Sequence, residues 1–160
     1  MKGEWKGIVL AGGLGTRLNP VTKVISKHLL PIYDKPMIYY SLSVLMLASI
    51  RDIAIISDKE NIGLYKKMFG NGSDIGIKLT YLIQTKPQGI GEAFMIAEKF
   101  IKKANVALIL GDNVFYGSSL REKLIKAKNS KKEASIFSYQ VSDPTRFGVV
   151  NFDKNNNPIS

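Results

Sequence analysis

Gly7-Ile8-Val9-Leu10-Ala11-Gly12-Gly13-Leu14-Gly15-Thr16-Arg17-Leu18 is the stretch that decides the architecture. Its first four residues are an apolar run, too short for a helix and stopped by glycine, which predicts a buried strand. The turn that follows holds three glycines. They let the backbone approach a ligand closely, and free N–H groups in such a turn cradle phosphate oxygens. Thr16 adds a hydroxyl, and Arg17 adds a planar fork suited to phosphate. The spacing excludes two common phosphate loops. Leu18 stands where a dinucleotide fingerprint requires its third glycine, and Gly-Lys-Ser/Thr occurs nowhere in the chain. Taken alone, the turn is open to two readings, a phosphate cradle and a purely structural turn.

Outward from this stretch, strand-like and helix-like runs alternate. A helix is predicted over 35–50, starting near Pro36 after a Tyr-Asp-Lys-Pro turn. Strands are predicted over 52–56, 78–83 and 106–110, and a helix over 61–69 stopped by Gly70-Asn71-Gly72. Residues 90–103 carry Ile90, Phe94, Ala97 and Ile101 at the spacing of an amphipathic helix. A helix over 120–127 and a fifth strand over 134–139 complete the series. Five strands separated by four helical stretches predict an α/β fold: a Rossmann-like, mostly parallel sheet with helices on both faces. Open sheets of this kind bind ligands at the carboxyl ends of their strands. The two most polar or glycine-rich ends, Ala11-Gly12-Gly13 and Gly111-Asp112-Asn113, are expected to border one site. Residues 147–152 and a turn at 155–157 read as a β-hairpin, and the chain reaches Ser160 within it. The expectation is a single domain over 1–160, truncated at its C-terminus.

The 160 residues are 45% hydrophobic and 22% charged, which excludes a disordered or collagen-like chain. There is no cysteine, so disulfides, thiolate metal sites and cysteine nucleophiles are excluded together. Lys and Arg outnumber Asp and Glu by 23 to 13, and the net charge of +10 suits an anionic partner. The lysines are spread along the chain (Lys2, Lys6, Lys66, Lys67, Lys102, Lys103, Lys131, Lys132) and read as solvated helix faces and turns. Aromatic residues are not interleaved with them, so nucleic acid is not expected as a partner. No run approaches the roughly 18 apolar residues of a membrane span, and the N-terminus lacks a signal-type apolar core. These features give the expectation of a soluble, cytoplasmic protein with no membrane partner.

Three further motifs carry chemistry. Ser26-Lys27-His28-Leu29-Leu30-Pro31 places Lys27 ten residues after Arg17, across a loop through Asn19-Pro20. Two cations from one loop suit a polyphosphate, although Lys27 equally reads as one more surface lysine. His28 is the only histidine and cannot build a metal cluster. In Leu110-Gly111-Asp112-Asn113, a carboxylate directly after a buried strand suits Mg2+, and a turn or helix-capping aspartate is the other reading. Gln84-Thr85-Lys86-Pro87-Gln88-Gly89 either reads a base edge with the Gln84 amide or is a plain strand-to-helix loop.

Together these motifs resemble the nucleotidyltransferases that make sugar nucleotides, with the corresponding nucleotide-diphospho-sugar transferase fold. The run Lys27-His28-Leu29-Leu30-Pro31-Ile32-Tyr33-Asp34-Lys35-Pro36-Met37-Ile38-Tyr39-Tyr40 is similar to their thymidylyl branch. So are Leu110-Gly111-Asp112-Asn113-Val114-Phe115-Tyr116-Gly117 and Asp143-Pro144-Thr145-Arg146-Phe147-Gly148-Val149-Val150. The resemblance implies that Gly12, Gly13, Gly15 and Thr16 hold a triphosphate, Arg17 stabilises charge at the transferring phosphorus, and Lys27 binds phosphate beside it. It implies thymine contacts from Leu10, Gln84 and Gly89, an Mg2+ cofactor on Asp112, and sugar contacts from Asn113 and Gly148. The implied reaction joins dTTP and glucose 1-phosphate, releases pyrophosphate, and feeds deoxysugar synthesis for cell-surface polysaccharide. The full-length protein would be a homo-oligomer.

The family's Glu-Lys-Pro segment and second Mg2+ aspartate are expected beyond Ser160, so the 160-residue chain is expected to be inactive or weak by itself. Ser41, His28 and Phe147 replace the family's usual proline, glutamine and tyrosine. Competing readings are a uridylyltransferase or other sugar-1-phosphate nucleotidyltransferase, and a non-catalytic nucleotide-binding module.

Overall fold

A computed structural model describes residues 4–13, 15–86, 88–145, 147–155 and 157–159. Leu14, Pro87, Arg146 and Asn156, which belong to the motifs above, lie outside the described residues. The chain divides into two compact units, one ending at Lys128 and the other beginning at Asn129.

In the first unit the elements run β1 (Trp5–Leu10), β2 (Pro31–Ile32), β3 (Lys35–Pro36), α1 (Ile38–Leu47), β4 (Asp52–Ser57), α2 (Ile62–Phe69), β5 (Lys78–Ile83), α3 (Glu92–Ile96), α4 (Glu98–Ile101), β6 (Asn105–Leu110) and α5 (Leu120–Lys128). β1, β4, β5 and β6 form one parallel sheet in the order β5-β4-β1-β6. Chain order therefore runs outward from β1 through β4 to β5, then returns to the other side of β1 for β6. The point of return lies between β1 and β6, and Ala11-Gly12-Gly13 and Gly111-Asp112-Asn113 leave the sheet there side by side. Ligands bind at such reversals in open α/β sheets.

Side chains alternate across a strand, so the two faces of the sheet bury different sets. Val9, Ile53 and Ile55 pack with Ile38, Leu42 and Leu45 of α1, Tyr65 and Phe69 of α2, and Leu124 of α5. Ile8 and Ile56 pack with Ala93 and Ala97. Ile8, Val9, Ile53, Ile55 and Ile56 are fully buried, and each contributes about 1.5–3 kcal/mol by leaving water. Helices thus cover both faces, as the alternating pattern predicts.

Four details differ from the sequence expectation. The predicted helix over 35–50 begins at Ile38, because Lys35–Pro36 pairs antiparallel with Pro31–Ile32. The predicted helix over 90–103 is divided at Ala97, whose ψ of 4° interrupts the helical run. Its buried face is Ala93 and Ala97, with Ile96, Phe100 and Ile101 against them, while Ile90 and Phe94 are exposed. Small residues let the helix lie close to the sheet, a requirement that apolar spacing alone does not reveal. Lys6 is not a solvated lysine: it is 9% exposed, donates to the Phe100 carbonyl at 2.8 Å and lies 3.3 Å from Asp52. The fourth difference falls in the second unit.

That unit has no strand over 134–139. Ile136 and Tyr139 are exposed; β-branched and aromatic residues favour a strand only when a neighbouring ladder receives them. The hairpin expected near the end is present in reduced form, as one antiparallel bridge between Phe152 and Pro158. Its turn is organised by Asp153, whose carboxylate accepts from the N–H groups of Asn155 and Asn157 at 2.8 Å each.

Candidate active site

The end of β1 is fastened before the glycine turn opens. The Ala11 N–H donates to the Ile56 carbonyl, and the fully buried Ser57 hydroxyl donates to the Ala11 carbonyl at 2.9 Å. Gly12 follows, where a Cβ would collide with Gln84 Oε1. A side chain at this position would have to displace the Gln84 amide. Gly13 has a φ of +100° and open space where a side chain would stand. The Gly15 carbonyl accepts from the Thr22 hydroxyl at 2.9 Å, which closes the loop through Asn19-Pro20. Thr16–Leu18 forms a 3-10 turn. Thr16 and Arg17 are exposed, and among the described residues the Arg17 guanidinium has no hydrogen bond or ion pair.

The end of β6 meets that of β1 through the Gly111 N–H, which donates to the Leu10 carbonyl at 2.8 Å. Asp112 then pairs with Lys27. Burial acts to raise the Asp112 pKa, but the hydrogen bond and charge of Lys27 outweigh it and hold the carboxyl below its ordinary value. Asn113 is anchored from α1: the buried Ser41 hydroxyl lies 2.9 Å from the Leu110 carbonyl and 3.1 Å from that of Asn113.

His28 lies beneath this junction. It is 1% exposed, and its Nδ1 is 2.9 Å from Ser26 Oγ, which is itself 2.9 Å from the Tyr65 hydroxyl. Burial pushes the imidazole down to about 4 and the Tyr65 phenol up to about 12. A neutral imidazole packed against Gly111, where a Cβ would come within 2.8 Å of the ring, is part of the framework.

At the end of β5 the Gln84 N–H donates to the Ser57 carbonyl at 2.8 Å. Its side-chain NH2 donates to Glu92 Oε2 at 2.6 Å, and the Gln88 N–H donates to the same oxygen at 3.0 Å. An open cleft of about 680 Å³ runs beside these groups, lined among others by Gly13, Thr16, Thr22, Asp58, Gln84 and Thr85.

The structure therefore gathers Leu10, Gly12, Gly13, Gly15, Thr16, Lys27, Gln84, Asp112 and Asn113 around the carboxyl ends of β1, β5 and β6. Gly89 lies exposed in the loop before α3 with a φ of +102°, and Gly148 is an exposed residue of the second unit. Sequence reasoning missed Thr22, Ser57 and Glu92. Ser57 had a signal, a polar residue closing an apolar strand, whereas the partners of Thr22 and Glu92 are set by tertiary placement. Among the described residues no helix is long and apolar enough to cross a membrane.

Comparison with known proteins gives the family and the fold. Residues 6–159 match the nucleotidyl transferase family. A glucose-1-phosphate thymidylyltransferase of Neisseria gonorrhoeae is 56% identical over 155 residues, which are 97% of this chain and 54% of the relative. The chain spans about half the length of the curated relatives it matches. A crystal structure from Bacillus anthracis, described as a glucose-1-phosphate thymidylyltransferase, superposes with a TM-score of 0.86 at 41% identity. The match covers 94% of this chain and 61% of that one. An apo UDP-glucose pyrophosphorylase structure matches at 27% identity with a TM-score of 0.64, covering 72% of this chain and 50% of that one.

Proposed function

The chain belongs to the nucleotidyl transferase family, and from that premise we propose that it is the nucleotide-binding part of an enzyme transferring dTMP from dTTP to glucose 1-phosphate. The products are dTDP-glucose and pyrophosphate. The observation that carries the reading is the junction of two strand ends, where Lys27 from the loop after β1 pairs with Asp112 after β6. A phosphate-binding turn and a metal-type carboxylate thereby share one site. The names of the relatives support the choice of substrates.

In this reading the N–H groups of Gly12, Gly13 and Gly15 and the Thr16 hydroxyl hold the triphosphate. Leu10, Gln84 and Gly89 receive the thymine, and Asn113 receives the sugar. A phosphate oxygen of glucose 1-phosphate attacks the α-phosphorus; the new P–O bond forms as the bond to pyrophosphate breaks. The chain's contribution is positioning and charge stabilisation, with Arg17 and Lys27 meeting the charge that develops. No residue becomes covalently attached, so the absence of cysteine and the burial of His28 are no obstacle.

Among the described residues no three His, Asp or Glu side chains gather as a metal cage. A lone ionised carboxylate fits Mg2+ all the same, since that ion takes one or two carboxylates plus substrate phosphates. Asp112 would hold it, and the bound ion would offset phosphate charge. The reading treats residues 1–160 as the N-terminal part of one nucleotidyltransferase domain, working in the cytoplasm, where dTTP is available, and as a homo-oligomer when full length.

UTP is the second reading for the nucleotide, favoured by the UDP-glucose pyrophosphorylase match. The test is pyrophosphate release from dTTP or UTP with glucose 1-phosphate and Mg2+. It compares this chain with a chimera carrying the remaining half of the Neisseria gonorrhoeae relative. The expected result is turnover by the chimera with dTTP preferred, and little or none by the chain alone. A folded chimera with no turnover contradicts the reaction; preference for UTP moves it to the second reading.

A further inference from the structure

We propose that Glu92 is a positioning residue that decides which kind of base edge the cleft accepts. The proposal rests on the reading of Gln84 as a base contact. A side-chain amide has two faces of opposite character, a donor NH2 and an acceptor oxygen, and a half-turn about its last bond exchanges them. An unconstrained glutamine therefore discriminates poorly between a base presenting a ring N–H and one presenting a bare ring nitrogen. Gln84 is constrained. It is 5% exposed, and its NH2 donates to Glu92 Oε2 at 2.6 Å. An ionised carboxylate only accepts, so it favours the orientation with the NH2 toward it. The same oxygen also takes the Gln88 N–H, which holds Glu92 against the loop before α3.

The amide oxygen is what remains. It lies against Gly12, and among the described residues it accepts no hydrogen bond. Gln84 also lines the cleft, as does Gly13. The site thus presents an acceptor at a fixed place. An imide base, with an N–H between two carbonyls as in thymine and uracil, supplies the matching donor. Cytosine and adenine present a bare ring nitrogen on the same edge, and two lone pairs then face each other. Glu92 selects the imide class as a whole and does not separate thymine from uracil.

The test is calorimetric titration of dTTP and dCTP, each with Mg2+, into the chain and into its Glu92→Leu and Glu92→Gln variants. The unaltered chain is expected to prefer dTTP. Removing the acceptor in Glu92→Leu frees the amide to turn, and the ratio of dTTP to dCTP affinity falls by about tenfold. Glu92→Gln keeps a carbonyl oxygen available at the same place and holds the ratio within about threefold of the unaltered chain. A merely structural role for Glu92 weakens both nucleotides together and leaves the ratio unchanged, which overturns the proposal. Equal affinity of the unaltered chain for both nucleotides overturns the base-contact reading of Gln84, and the proposal with it. Should Glu92→Leu fail to fold, the unaltered chain decides by NMR. The Gln84 side-chain NH2 protons are expected to exchange slowly with water in the dTTP complex; fast exchange overturns the proposal.

Discussion

Arg17 is exposed and among the described residues its guanidinium makes no hydrogen bond or ion pair, whereas Gln84, also assigned to the nucleotide, is 5% exposed and held by two hydrogen bonds. The same contrast runs through the whole site. The glycine turn after β1 has space beside Gly13 and a guanidinium that is unpaired among the described residues. Behind it stands a buried polar framework: Ser57 on Ala11, Glu92 on Gln84, and Ser26 between His28 and Tyr65. The open part can meet a flexible, highly charged triphosphate without first breaking contacts of its own. The framework is set before any ligand arrives, which suits a base that must be recognised by its edge. Preorganisation of this kind lowers the cost of binding.

If the turn is reserved for phosphate, Arg17→Ala has the largest effect on chemistry and almost none on folding. In the chimera the rate of pyrophosphate release is expected to fall by about 10²–10³. The melting profile of the chain itself stays within about 0.5 kcal/mol of the unaltered protein. A destabilised Arg17→Ala chain breaks the contrast at once.

The framework predicts the reverse, effects on stability, and acid is the strongest probe. The folded pKa of His28, about 4, lies below the unfolded value of 6.5 because burial disfavours the charged ring. Between those values the unfolded state binds the proton and the folded state does not. Stability is therefore full above pH 6.5 and declines as the pH falls toward 4, by up to about 3 kcal/mol. Urea unfolding at pH 7, 5.5 and 4.5 measures this directly, and His28→Gln should flatten the profile over that window. An unchanged slope in the variant assigns the acid sensitivity elsewhere.

Two substitutions sharpen the contrast further. Gly111→Ala puts a methyl 2.8 Å from the His28 ring and 3.2 Å from Ala11 Cβ. In a packed junction this costs about 1–3 kcal/mol, read from thermal or urea unfolding. Ser57→Ala removes the hydroxyl that donates to the Ala11 carbonyl. Its cost, measured the same way, is about 1 kcal/mol. If neither substitution alters stability, the junction is looser than its contacts imply.

These regions also differ in how far they could be read from the residues alone. β1, β4 and β6 were legible because each is a largely apolar run bounded by turn residues, the trace that strands of a helix-covered parallel sheet leave, and β5 was legible from its alternating character. The glycine turn, Lys27, Gln84 and Asp112 were singled out because each belongs to a motif that the resemblance combines, and the fold brings those motifs to neighbouring strand ends. Glu92 was not legible, since nothing in Ile90-Gly91-Glu92-Ala93 shows that its carboxylate returns to the end of β5. The predicted strand over 134–139 failed for a related reason. Its propensity is intrinsic to the residues, but a strand also needs a neighbour, and neighbours are a property of the fold.

The central claim is that the glycine turn and the Gln84 corner form one nucleotide site in this chain. The most direct test is the melting temperature of the chain with dTTP, UTP, CTP and ATP, each at millimolar concentration with Mg2+, because a ligand that binds only the folded state raises its stability. The account predicts a clear rise with dTTP, a smaller or equal rise with UTP, and little with CTP or ATP. A folded chain whose melting temperature is unmoved by all four, or raised equally by all four, contradicts it.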